Sequence, residues 1–78
     1  MKLVIRNPES TLFSGEVASV TLPGTVGSFQ VLRNHAPLVS SLTKGNIIYV
    51  VGGITNNIAI YGGFVEVKDN TISVYIDC

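Results

Sequence analysis

The sequence predicts an all-β domain, an antiparallel β-sandwich of about ten short strands with almost no helix. Three observations carry this prediction. Short runs rich in Val, Ile, Tyr and Thr recur every ~8–12 residues, with Gly, Pro, Asn and Asp between them. Within several runs the apolar residues alternate, which puts successive side chains on opposite faces of a strand. No segment sustains the 3.6-residue apolar period of an amphipathic helix over about ten positions or more. The chain has 78 residues and no linker, low-complexity tract or repeat, so residues 1–78 read as a single domain.

The elements follow in order. Lys2–Arg6 is a short apolar run closed by the turn signal Asn7-Pro8. Glu16–Leu22 alternates, with Ala18, Val20 and Leu22 facing one way and Val17, Ser19 and Thr21 the other. Pro23-Gly24 is expected to break that strand. Ser28–Leu32 and Leu38–Leu42 are strands on either side of an irregular corner, Arg33-Asn34-His35-Ala36-Pro37, in which Pro37 is structural. Asn46–Val51 is apolar on both faces, as expected of a strand covered on both sides. Gly52-Gly53 opens a turn with Asn56-Asn57 at its far end, and Ile58–Tyr61 returns. Gly62-Gly63 interrupts that strand and reads as a bulge or a close backbone approach. Phe64–Lys68 continues it, Asp69-Asn70 turns, and Thr71–Ile76 closes the fold with Ile72, Val74 and Ile76 on one side.

Composition narrows the function classes. Charged residues make up 13% of the chain and hydrophobic residues 46%, against about 25% charged in ordinary soluble domains. A domain this small buries only roughly 60–65% of the surface its unfolded chain exposes. Part of the apolar content is therefore expected on the surface, as a patch that marks a partner site. The competing picture is a compact β domain with a skin of Ser, Thr and Asn. Lys2, Arg6, Arg33, Lys44 and Lys68 balance Glu9, Glu16, Glu66, Asp69 and Asp77. With no basic cluster to neutralise phosphates, nucleic acid is not an expected partner. No apolar run approaches the ~20 residues of a membrane-spanning helix, and the start lacks a signal-peptide pattern; both point to a soluble intracellular protein. The single cysteine, Cys78, offers neither an internal disulfide nor a metal site and reads as an inert end.

Nothing in the sequence looks like a reaction centre. Gly-x-Gly-x-x-Gly, phosphate-loop and nucleophile-elbow patterns do not occur. His35 is the only histidine and has no Cys, Asp or Glu near it in sequence. A hydrogen-bonding or interface role therefore suits it better than metal ligation or catalysis. Phe13, Phe29, Phe64, Tyr49, Tyr61 and Tyr75 read mainly as core, and the tyrosines, polar at one end, are the better contact candidates. The stretch from Gly27 to Gly45 resembles a shaped surface rather than a catalytic one.

Five blocks stand in order along the chain: Phe13-Ser14-Gly15-Glu16-Val17; Pro23-Gly24 with Gly27, Phe29, Val31 and Leu32; Asn34-His35-Ala36-Pro37-Leu38; Leu42 with Gly45 and Ile47; and Gly62-Gly63-Phe64-Val65-Glu66-Val67. Together they resemble the N-terminal β-sandwich of the epsilon subunit of the rotary ATP synthase, called delta in mitochondria. The resemblance implies a ten-stranded, non-catalytic sandwich at the foot of the central stalk. It would grip the gamma subunit on one side and rest on the c-ring on the other, coupling ion translocation to ATP synthesis. It would need no cofactor or small-molecule ligand and would sit peripherally on the cytoplasmic face of the bacterial inner membrane. Matched positions imply that Asn7, His35 and Ser40 face gamma. They imply that Gly27, Ser28, Arg33 and Asn34 face the c-ring, although Ser28 stands where many relatives carry an acidic residue. Gly62 and Gly63 are structural. The family's C-terminal helical hairpin would begin where Ile76-Asp77-Cys78 stands, so its inhibition of hydrolysis and its ATP binding are not carried over. The alternative is a free-standing β-sandwich protein-binding module.

Overall fold

The computed structural model describes residues 1–77; the expectation for Cys78 lies outside them. Nine strands form among the described residues: β1 (Lys2–Arg6), β2 (Thr11–Glu16), β3 (Ser19–Gly24), β4 (Gly27–Val31), β5 (Leu38–Leu42), β6 (Gly45–Val51), β7 (Ile54–Ile60), β8 (Gly63–Lys68) and β9 (Thr71–Ile76). No helix occurs among the described residues. The all-β expectation holds, with nine strands against about ten.

The strands make one curled sheet in two layers. One layer runs β2-β1-β9-β8-β5, and the other runs β4-β3-β6-β7. The layers meet through a single paired position, Gly24 with Leu42. Nearly all pairings are antiparallel, but β1 and β9 are parallel from Lys2↔Thr71 to Arg6↔Tyr75. That pairing corrects a purely antiparallel sandwich. A parallel pair needs a long crossover between its strands, and here the whole domain from β2 to β8 supplies it.

The alternation read in the sequence sets the core. Leu3, Ile5, Val65, Val67, Ile72 and Val74 point inward from the first layer, and Val20, Leu22, Val31 and Ile47 from the second. No polar or charged side chain is buried among the described residues. The core therefore rests on apolar area alone, at roughly 1.5–3 kcal/mol per fully buried aliphatic side chain. Phe13 and Tyr49 pack at 4.6 Å between ring centroids and close the side where β2 and β7 are free edges. The β7 edge is seven residues long and carries neither charge nor proline.

Four local expectations are corrected. β2 begins at Thr11, before the alternating run, because Val4↔Ser14 and Ile5↔Phe13 pair it to β1. Pro23-Gly24 does not break β3. Proline lacks an N–H, yet Pro23 stays in register with Ser28, and its carbonyl accepts from Thr43 N–H at 2.8 Å. Gly52-Gly53 makes the entire β6–β7 turn, so β7 starts at Ile54 and Asn56-Asn57 lies inside it, paired with Tyr49 and Ile48. Gly62-Gly63 does not interrupt one strand. It separates β7, which pairs with β6, from β8, which lies between β5 and β9. The chain changes layers there, and the close backbone approach expected of the glycines is present. A Cβ on Gly63 would overlap the Tyr75 carbonyl oxygen and lie 2.9 Å from the Ile76 Cα.

The connections gather at two ends of the domain. The tip end holds the β3–β4 turn at Thr25-Val26, the β5–β6 connection, Gly62-Gly63 and the loop after β1. The corner end holds Arg33–Pro37, the β8–β9 turn and the start of β1.

Candidate interaction surface

Charge is segregated between the layers. Strands β3, β4, β6 and β7 contain no charged residue. Every strand-borne charge (Lys2, Arg6, Glu16, Glu66, Lys68) lies in the other layer. Outward from the uncharged layer point Gln30 and Ser28 on β4, Thr21 and Pro23 on β3, Ile48 and Val50 on β6, and Asn57 and Ala59 on β7, as their pairing requires. This face is exposed or half-exposed, and Ile48 lies near its centre, 39% exposed. Covering such a face strips water from few charges, and charge depletion at the centre is the compositional mark of interface cores. The outer face of the charged layer differs. Phe64 and Tyr75 stack there at 4.9 Å, both partly exposed, in register with Arg6. Tyr61 is 76% exposed, with the Lys44 ammonium 5.9 Å from its ring centre. Of the six aromatics, then, Tyr49, Phe13 and Phe29 belong to the core or pack on it, while Tyr61, Tyr75 and Phe64 face outward.

The residues singled out in the sequence are distributed over both ends. Gly27 and Ser28 lie at the tip end, beside Val26, which is fully exposed at the head of the β3–β4 turn. Arg33 and Asn34 lie at the corner end. The rest of β4 carries the chain from one pair to the other, and the five steps from Ser28 to Arg33 span roughly 16 Å of extended backbone. The four residues assigned to one contact are thus not brought together. Asn7, Ser40 and His35 are also spread along the domain, with Asn7 at the tip end, His35 at the corner and Ser40 midway along β5.

Their hydrogen bonds show how free each is. The Asn7 Oδ1 accepts the Glu9 and Ser10 N–H groups at 2.9 and 2.7 Å, so this side chain closes its own turn. Ser40 Oγ donates to the Ser41 carbonyl at 3.0 Å. His35 is half-buried, and its Nδ1 lies 2.7 Å from the Ala36 carbonyl oxygen. A carbonyl can only accept, so Nδ1 carries the proton, and in the neutral ring Nε2 is left as an acceptor. Among the described residues no three His, Cys, Asp or Glu side chains gather around a common point. No helix of the described residues is long and apolar enough to cross a membrane.

Two features were not legible in the sequence. One is the tie between Asn34 and Asn70, where Asn34 N–H donates to Asn70 Oδ1 at 2.6 Å and Asn70 Nδ2 donates to Asn34 Oδ1 at 3.0 Å. The other is the charge-free layer, which the linear order hides because the uncharged run of strands β3 to β7 also includes β5, a strand of the other layer. Counting charges strand by strand finds the run, and only the topology separates β5 from it.

Comparison with known proteins agrees with this architecture. The family described as ATP synthase, Delta/Epsilon chain, beta-sandwich domain matches residues 1–78. The ATP synthase epsilon chain of Leptospira borgpetersenii serovar Hardjo-bovis is 44% identical over 77 residues, covering 99% of this chain and 61% of the relative. That of Desulfitobacterium hafniense is 44% identical over 75 residues, covering 96% of this chain and 57% of the relative. The chain therefore spans about three fifths of the length of the curated relatives it matches. Among solved structures, a chain of the Euglena gracilis mitochondrial ATP synthase, in a cryo-EM structure of OSCP/F1/c-ring, superposes with a TM-score of 0.87 at 26% identity, over 95% of this chain and 48% of that one. A chain of the Tetrahymena thermophila mitochondrial ATP synthase central stalk and c-ring superposes with a TM-score of 0.84 at 17% identity, over 99% and 63%, which shows a shared fold. A match along the whole chain, relatives at 44% identity and the two-layer sheet agree: this chain belongs to the ATP synthase delta/epsilon family and comprises its beta-sandwich domain.

Proposed function

We propose that this domain is a non-catalytic coupling piece of the rotor. It binds the gamma subunit, rests on the c-ring, and so links ion translocation to ATP synthesis. In this reading it is held peripherally on the cytoplasmic face of the bacterial inner membrane through the complex, with no cofactor of its own. The observation that carries the reading is the uncharged layer β4-β3-β6-β7 in a chain that matches this family throughout. A face without charges suits permanent burial against a protein partner, and permanent interfaces typically exceed ~2,000 Å² in total.

Roles follow from position. Gamma lies against His35 Nε2 and Ser40, on the side where the chain passes from β4 to β5, spreads onto the uncharged face, and reaches the Asn7 turn at the tip end. The tip end faces the ring through Gly27, Ser28 and the exposed Val26. Arg33 and Asn34, at the other end of β4, contact the stalk rather than the ring. The test is co-elution of the purified chain with gamma at micromolar concentration, alone and with c-ring present. A stable complex is expected. A chain that elutes as a free monomer beside gamma would sink the proposal and leave a free-standing binding module as the better account.

A further inference from the structure

We propose that Asn70, on the β8–β9 turn, is the positioning residue of the 33–37 corner, and that through Asn34 it governs how Arg33 and His35 meet their partner. The partner half of this inference rests on the proposed function; the conformational half does not.

The corner carries the chain from β4 in one layer to β5 in the other and has little to hold it. Within it, His35 N–H donates to the Leu32 carbonyl at 3.1 Å, and the His35 ring bonds to Ala36 next door. Both bonds are local. Asn34 also adopts φ 64, a left-handed conformation that few side chains tolerate and Asn tolerates better than most. What ties this residue to the rest of the fold is the reciprocal pair with Asn70, 36 positions further along the chain. One amide group supplies both halves, its oxygen accepting from the Asn34 backbone and its nitrogen donating to the Asn34 side chain, so each amide fixes the other's orientation.

Asn70 is itself anchored. Asp69 and Asn70, at φ 51 and 57, form the two-residue turn between Lys68 and Thr71, with the positive φ values that such hairpins require. The Asn70 carbonyl also accepts from Lys2 N–H at 2.9 Å. The clasp therefore fastens the corner to three strands of the charged layer. Because it is exposed, it adds little to global stability. Its effect is to select one arrangement of the residues beside it, so that Arg33 and His35 are ordered before a partner arrives and less freedom is lost on binding.

The test uses the 78-residue chain. Asn70→Gly keeps the positive φ of the turn and removes both hydrogen bonds; Asn70→Asp keeps the acceptor for the Asn34 N–H and loses the donor. By NMR, Asn34 amide exchange is expected to quicken roughly five-fold in Asn70→Gly, as loss of one exposed hydrogen bond allows. It should stay near wild type in Asn70→Asp, with similar melting curves for all three proteins. Unchanged exchange in Asn70→Gly, or equal loss in Asn70→Asp, overturns the clasp. If Asn70→Gly does not fold, the NMR coupling across the hydrogen bond between the Asn34 amide nitrogen and the Asn70 side-chain carbonyl carbon of the wild-type chain takes its place, and its absence likewise overturns the clasp. Binding to purified gamma decides the partner half. Affinity should fall roughly three- to ten-fold in Asn70→Gly, the ordering cost of one or two side chains. Equal affinities overturn positioning for recognition. A wild-type chain that does not bind gamma overturns the proposed function, while exchange at Asn34 still decides the clasp.

Discussion

Gly63 and Gly27 allow one structural cost to be divided into two. Both adopt nearly the same backbone conformation, φ 148 and φ 145, a region essentially reserved for glycine and costing any other residue about 1–3 kcal/mol. Their surroundings differ. A Cβ on Gly27 meets nothing within 4 Å, whereas one on Gly63 overlaps the Tyr75 carbonyl oxygen and lies 2.9 Å from Ile76 Cα and 3.1 Å from Tyr75 C. Those are backbone atoms of β9, which is paired on both sides and cannot swing away as a side chain could. Overpacking of this kind adds about 1–3 kcal/mol. Gly27→Ala should therefore cost about 1–3 kcal/mol and Gly63→Ala about 2–6 kcal/mol. Against a total stability of about 4–12 kcal/mol for a chain this long, Gly63→Ala leaves the domain marginal, and Gly63→Val, with its second branch, unfolds it at about 37 °C. In thermal denaturation followed by circular dichroism, each kcal/mol appears as about 4–8 °C. The reasoning fails if Gly63→Ala melts no lower than Gly27→Ala, since the close approach to β9 would then cost nothing. It fails more deeply if both melt like wild type.

Other expectations concern the core and the proposed contacts. Leu22→Ala, deleting a fully buried side chain from β3, should cost about 2–5 kcal/mol in urea unfolding; a loss below about 1 kcal/mol would mean the layers collapse onto the cavity. Ile48→Glu places a charge at the centre of the uncharged face, where the free domain leaves it in water. Stability should change by no more than about 1 kcal/mol, while affinity for gamma should fall more than about tenfold because an unpaired charge is buried. Unchanged affinity would move the interface elsewhere. His35→Ala should leave the melting temperature within a few degrees, about what an exposed hydrogen bond contributes, and weaken gamma binding; calorimetry showing equal affinities would make the Nε2 acceptor irrelevant.

The strands that alternate cleanly were legible because their residues are sorted by a buried face: Ile72, Val74 and Ile76 point inward as their spacing requires. β2 was hidden because it is an edge strand with Leu12 exposed on its outer face and only Phe13 and the side-chain-free Gly15 on its inner one, so the core imprints only a weak period on it. Asn56-Asn57 looked like turn residues, yet they sit in β7 because the two preceding glycines already complete the turn. The parallel pairing of β1 with β9 is a matter of topology, which local pattern does not encode. For the candidate surface, the residues of the corner stood out through Asn34, His35 and Pro37, but their placement did not. Gly27 and Arg33 are close in sequence and far apart in space because β4 is extended. Asn70 passed for an ordinary turn former, since a contact across 36 positions leaves no local trace.

The β7 margin carries a liability of its own. Ile54-Thr55-Asn56-Asn57-Ile58-Ala59-Ile60 offers an open row of amide and carbonyl groups without a lysine, proline or bulge to deter a neighbour, and an uncharged run with four β-branched residues and a pair of asparagines able to form ladders suits the dry stacking of fibrils. Copies made in excess of their assembly are expected to condense like upon like. An Asn57→Lys gatekeeper should keep them dispersed, as light scattering of concentrated samples would reveal.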